Sequence, residues 1–125
     1  ALPADLRAVM KAVTKYSDNT GGGNNTASYV TSTTDYLFEL AEFEYHGART
    51  YANSAEQNYQ QQYAYYQAGN SKIHYKHNAT GTAALVWCRS VYATNTHYFC
   101  LVYTNGSAND LHASNSWGVA PGFAA

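Results

Sequence analysis

Leu6, Val9, Met10, Val13 and Tyr16 fall at the spacing of one helical face. Pro3 suits a first turn and Asp5 the positive end of a helix, so the pattern predicts a helix from Pro3 to Tyr16. Ser17 to Thr34 reads as loop, because Gly21-Gly22-Gly23-Asn24-Asn25 breaks any regular element. Within it, Tyr29 to Thr33 is a candidate short strand. Tyr36 to Leu40 is a compact apolar run expected as a buried strand, and Ala41 to Tyr45 as a helical turn ended by Gly47. Ser54-Ala55-Glu56-Gln57 resembles a capping box and predicts a second helix to about Gln67, stopped by Gly69-Asn70. Tyr59, Tyr63 and Tyr66 would then pack one face of that helix on a sheet.

Beyond Gly69 the period shortens. Ile73 to His77 is expected as a strand, Ala83 to Arg89 as a buried central strand, and Tyr98 to Tyr103 as another. Asn105-Gly106 is a hairpin-turn dipeptide. Asn109 to Ser116 reads as loop, and Gly118 to Phe123 as a short strand broken by Pro121. The order predicts an α+β fold, two helices packed on a small, mainly antiparallel sheet with long loops.

The 125 residues make one domain, expected over residues 1–125. Ala1-Leu2-Pro3 leads straight into the helical pattern with no signal-peptide layout, so the chain is expected to be the C-terminal domain of a longer protein or a processed form. Charged residues are 12%, about half the typical ~25%, and the net charge is −1. Such a chain has no field to draw nucleic acid or an anionic membrane, and no apolar run reaches the ~18 residues of a membrane span. Neither partner is expected.

Motifs for chemistry are sparse. There is no Gly-x-Ser-x-Gly and no phosphate loop. Glu39, Glu42 and Glu44 cluster without a partner motif and are expected to be solvated. His74 and His77 would point to opposite faces of a strand, so no zinc site is expected. No acidic ladder resembles a calcium loop. Arg89, at the end of a buried strand, is expected to pair with a carboxylate or with loop carbonyls. Cys88 and Cys100 are too few for a disulfide framework; they either pair or are buried thiols.

The informative stretch is Ser90 to Ser116. It is rich in Tyr, Ser, Thr, Asn, Ala, Gly and His and lacks Lys, Arg, Glu, Gln, Met and Trp. Antibody binding loops share this balance: Tyr gives rigid contact area, and Ser, Asn and Gly give adaptable hydrogen bonds. An ordinary polar β-rich surface shares it too.

Trp87-Cys88-Arg89-Ser90, Phe99-Cys100-Leu101-Val102-Tyr103, Asn105-Gly106-Ser107-Ala108 and Gly118-Val119-Ala120-Pro121-Gly122-Phe123, in that order, resemble the C-terminal half of a family of phage and prophage domains. Upstream, Leu37-Phe38-Glu39-Leu40 with Glu42, Tyr51-Ala52-Asn53-Ser54 and Gln62-Tyr63-Ala64-Tyr65-Tyr66 also fit, so the resemblance runs over most of the chain. Cys88 stands where that family more often has a large apolar residue. The family comprises the variable proteins of diversity-generating retroelements, in which error-prone reverse transcription at adenines rewrites the 3′ end of a gene. The resemblance implies a C-type-lectin-like fold with a diversified ligand face and no cofactor. Diversified Asn codons cannot encode Lys, Glu, Gln, Met or Trp, which agrees with the composition of Ser90 to Ser116.

Carried over by position, the resemblance makes Tyr92, Ala93, Thr94, Asn95, Thr96, His97, Tyr98, Leu101, Tyr103, Ser107, Asn109, Asp110, Leu111, His112, Ser114 and Ser116 the exposed ligand-binding residues. Trp87, Phe99, Val102, Gly106, Gly118, Val119 and Phe123 become framework, with Trp117 as the wall of the site. The Glu-Pro-Asn, Gln-Pro-Asp and Trp-Asn-Asp motifs of calcium-dependent lectins are missing, so a metal-independent site is expected and sugar is not implied. The implied partner is a protein or glycan receptor on a cell surface. The implied location is a virion tail fibre or a bacterial surface, with a homotrimer the arrangement common at fibre tips. Two other readings compete. One is a structural fibre or surface domain without a diversified site. The other is an enzyme of the formylglycine-generating type, whose related fold uses a cysteine pair.

Overall fold

A computed structural model describes residues 2–125. Helix α1 (Ala4–Val9) covers only the first part of the expected helix, and none of its residues is buried. Strand β1 (Val13–Asp18) follows and pairs antiparallel with β2 (Val30–Asp35), from Val13 opposite Asp35 to Asp18 opposite Val30. The helical period is thus overruled by pairing with the Thr-rich β2, because a helix without a packed face has little to extend it. The Gly-rich loop between β1 and β2 is left-handed at Gly21, Gly22, Asn24 and Asn25. A 3₁₀ turn, Ala27–Tyr29, returns it to β2.

Strand β3 (Phe38–Glu39) is only the end of the expected buried run; Tyr36 and Leu37 are exposed. Helix α2 (Glu42–His46) closes on Gly47 in the left-handed conformation, as expected. The second long helix is replaced by a 3₁₀ turn, Ser54–Asn58, and a separate short helix α3 (Ala64–Gln67). The cap is Asn53, whose Oδ1 accepts from the Ala55 N–H, rather than Ser54.

Strands β4 (His74–Lys76) and β5 (Ala79–Ala84) form a hairpin. Then β6 (Val86–Val91), β7 (Tyr98–Val102) and β8 (Ala108–His112) form an antiparallel sheet in that order. The stretch expected as loop from Asn109 therefore begins as a strand, with Cys100 opposite Asp110 and Leu101 opposite Asn109. The Tyr103–Ser107 turn joins β7 to β8, with Gly106 at φ 84°. Finally β9 (Pro121–Gly122) pairs with β3. The architecture is mixed α/β: mostly strands in small antiparallel sheets, with few and short helices.

The β6–β7–β8 sheet has two sides. Val86, Cys88 and Ser90 of β6 are buried, alternating with half-buried Trp87, Arg89 and Val91. The first side meets the core of Tyr45, Ala52, Cys88, Cys100 and Val102, edged by Leu40, Tyr51 and Tyr66.

Much of the interior is polar. Glu42, Glu44, Glu56, Asp18, Asn53, Ser17 and Ser90 are buried. The expectation of solvated Glu42 and Glu44 is therefore corrected: the backbone needs their oxygens. Glu42 accepts from the Thr50, Tyr51 and Ala52 N–H groups at 2.5, 3.1 and 3.3 Å. Glu56 accepts from the Asp18 N–H and the Ser90 hydroxyl. Asp18 holds the Gly-rich loop through the Thr20 and Gly21 N–H groups, and its other oxygen accepts from Asn53. Arg89 makes a two-pronged pair with Glu44, at 3.0 and 3.1 Å, and donates to the carbonyls of Glu39 and Tyr16. This is the mixed carboxylate-and-carbonyl role expected of it.

Candidate functional site

The loop between β6 and β7 is held by its backbone. The Ala93 N–H donates to the Tyr51 carbonyl at 2.9 Å, and the Ala93 carbonyl accepts from Asn24 at 3.0 Å. Tyr92 donates to the Tyr98 carbonyl, closing the loop, and Ala113 donates to the His97 carbonyl. The Asn95 side chain accepts from the His97 N–H. The Gly-rich loop lies directly beneath: a Cβ on Gly22 would stand 2.6 Å from the Thr96 methyl. Its glycines therefore permit a close approach as well as a turn.

On this frame the rings line up. Tyr51 and Tyr92 lie 5.8 Å apart, Tyr92 and Tyr98 6.2 Å, Tyr98 and His112 5.5 Å, and His112 stacks on His97 at 5.8 Å. His97 and His112 are exposed; Tyr51, Tyr92 and Tyr98 are half-buried. The His112 ring is fixed by the Ser114 hydroxyl, 2.8 Å from Nδ1. The result is an aromatic strip with polar neighbours Thr94, Asn95 and Ser114.

The expected site residues separate into groups. Tyr92, Thr94, Asn95, Thr96, His97, Tyr98, His112 and Ser114 gather on the loop and the facing end of β8, and Ser116 is exposed just beyond. Tyr103 and Ser107 are exposed but sit at the opposite end of the hairpin, about 17 Å along the strand from Tyr98. Asp110 is half-buried opposite Cys100. Asn109 and Leu111 are also half-buried, and alternation turns them to the other side of the sheet. Two residues correct the expectation of exposure. Ala93 is 1% exposed because it is the loop's anchor, and Leu101 is 0% exposed between Trp87 and Asn109. Among the framework residues, Val102 is buried as expected, whereas Val119 and Phe123 are exposed. Trp117 is itself 37% exposed.

Sequence reasoning missed Tyr51, which lies far upstream. Only the bridge between Ala52 and Tyr92 brings it to the strip. Burial raises its phenol pKa, with Asp110 and Glu42 adding to the effect.

Cys88 and Cys100 are free and buried. Burial pushes both thiols well above the usual range, and Glu42 adds to the rise in each case. Among the described residues, no three His, Cys, Asp or Glu side chains gather as metal ligands, and no helix is long and apolar enough to cross a membrane.

No curated protein and no solved structure matches the chain. A family model does, over residues 1–124, and the chain belongs to the family described as Domain of unknown function (DUF6273).

Proposed function

We propose that this chain is a ligand-binding display domain with a C-type-lectin-like fold, whose contact surface is the strip Tyr51, Tyr92, Tyr98, His112 and His97. Its partner is a protein or glycan receptor on a cell surface. The observation that carries this reading is the strip itself. Rigid rings stand beside short polar side chains on a loop anchored through its backbone. Rings give contact area at low entropic cost, and Thr94, Asn95 and Ser114 add adaptable hydrogen bonds. The small antiparallel sheets joined by long loops support the fold assignment. Thiols with raised pKa values favour binding over cysteine chemistry, which needs a thiolate.

The test is binding of fluorescently labelled protein to whole bacterial cells, read by flow cytometry. Tyr98→Ser and His112→Ser are expected to keep the melting temperature within a few degrees and to abolish cell binding. Cell binding unaffected by both refutes the surface. Diversification is tested separately in the gene's neighbourhood. A reverse-transcriptase gene and a downstream near-copy of the 3′ end, differing at adenines, are expected. Their absence leaves a display domain with a fixed face.

A further inference from the structure

A cavity of about 330 Å³ opens against the second side of the β6–β7–β8 sheet, lined by Glu39, Trp87, Cys88, Arg89, Phe99 and Ala113. None of the strip residues lines it, so a ligand there is independent of the proposed contact surface. The Trp87 and Phe99 rings stand edge to face with centroids 6.1 Å apart. The volume is at the low end of the roughly 300–1,000 Å³ of small-ligand clefts, room for one ring rather than a chain.

Two polar atoms on the lining residues are unsatisfied. The terminal nitrogens of Arg89 are committed to Glu44 and to two carbonyls, but its Nε is buried without an acceptor. Glu39 Oε1 is buried and receives no hydrogen bond. Buried polar atoms are nearly always paired, so one orphan donor and one orphan acceptor on the same cavity need a reason.

Charge narrows the ligand. Lys15 and Arg89 both meet Glu44, at 3.5 and 3.0 Å, and Glu39 supplies the second negative charge, so the group is neutral. A cationic ligand would meet the Arg89 N–H, and an anionic one the Glu39 carboxylate. A hydroxyl both donates and accepts, so adjacent hydroxyls satisfy both orphans. The aromatic walls require that the same molecule carry an apolar face. We propose that this cavity binds one neutral sugar ring, with its C–H face against Trp87 and Phe99 and its hydroxyls on Glu39 Oε1 and Arg89 Nε.

Methyl glycosides of glucose, galactose, mannose and N-acetylglucosamine are the probes. Trp117→Phe leaves Trp87 as the sole tryptophan. At least one glycoside is expected to change Trp87 emission saturably, with a Kd of about 1–10 mM, and to shift the Arg89 Nε–H resonance. Glu39→Gln and Glu39→Ala are expected to weaken that binding about fivefold or more, since a charged acceptor is roughly twice as strong as a neutral one, while the melting temperature does not fall. If either variant fails to fold, the Arg89 Nε–H shift in the parent protein decides. No response to any glycoside at about 100 mM overturns the proposal. So does saturable binding of tetramethylammonium in place of the glycosides, which would mark a cation site. Tyr98→Ser is expected to leave the glycoside Kd unchanged. Loss of glycoside binding in that variant would move the sugar to the aromatic strip and overturn the cavity assignment, whereas unchanged binding keeps it whatever becomes of the strip.

Discussion

Replacing Glu42 with alanine tests whether the polar interior positions the proposed contact surface. The carboxylate is 1% exposed and holds the N–H groups of Thr50, Tyr51 and Ala52. Thr50 is exposed, so its N–H can turn to water, but Ala52 is buried and Tyr51 half-buried. Leaving a buried donor unpaired costs about 1–3 kcal/mol. Two such donors cost about 4 kcal/mol, partly offset because a carboxylate that burial already disfavours is removed. A net loss of about 3 kcal/mol is expected, roughly a hundredfold in the unfolding equilibrium. With a slope of about 1.5 kcal/mol per molar urea, the midpoint falls by about 2 M. The loss should also be local in its consequences. The Tyr51 carbonyl accepts from Ala93, so amide exchange should quicken at Tyr51, Ala52 and Ala93 together. A midpoint within about 0.3 M of the parent, or lost stability with Ala93 protection unchanged, would refute the link from Glu42 to the loop.

Leu101→Ala should cost about 2–5 kcal/mol by chemical denaturation, because that side chain is wholly buried, while Tyr103→Ser should stay within about 0.5 kcal/mol. Equal effects would return Leu101 to the exposed set. Burial lowers the His46 pKa to about 4, with Lys72 adding to the effect, so the unfolded chain takes its proton first as pH falls. The stabilising effect is complete above about pH 6.5 and is lost between there and about pH 4, a change of about 1–2 kcal/mol after screening by water. Glu39, Glu42 and Glu56 have raised pKa values and oppose that trend on its acid side, so the measurement is the difference between parent and His46→Gln urea midpoints across pH. A constant difference would count against it. Ellman's reagent should find both cysteines silent in the native protein and both reactive in guanidinium; a fast native reaction would mean the thiols are exposed.

Local signals were legible where a single turn or run decided the outcome. Gly47 ended α2, Asn105-Gly106 made its turn, and Val86 to Arg89 formed the core of β6. Long-range pairing was not legible. Val13 and Tyr16 fit a helical face, yet β2 claims them, and nothing in Thr31 to Asp35 announces that partner. Likewise Gln60 and Gln62 are good helix formers. Their amides reach the carbonyls of Tyr16 and Tyr45, and the chain between the 3₁₀ turn and α3 carries no helix. The buried carboxylates were misread for the same reason: their partners are backbone N–H groups, which leave no mark in composition. At the candidate site, the loop from Tyr92 to Tyr98 stood out by composition, while Leu101 and Ala93 required knowledge of what covers them.

The way the loop is held bears on how freely its surface can change. The hydrogen bonds that place it run between main-chain atoms: Ala93 to Tyr51, Asn24 to Ala93, Tyr92 to Tyr98 and Ala113 to His97. None of them uses the side chains of Thr94, Tyr98 or His112. Beneath, Glu42, Asp18 and Asn53 fix the receiving segments, again by grasping backbone N–H and C=O groups. A surface anchored in this way can exchange side chains with little effect on the chain's path, because the cost of substitution at exposed positions is small when no packing or cap is lost. Asn95, whose side chain accepts from the His97 N–H, and Thr96, which packs over Gly22, are the exceptions within the loop. They should therefore tolerate fewer replacements than Thr94 or His97, and that ordering separates a surface free to vary from one that is merely polar.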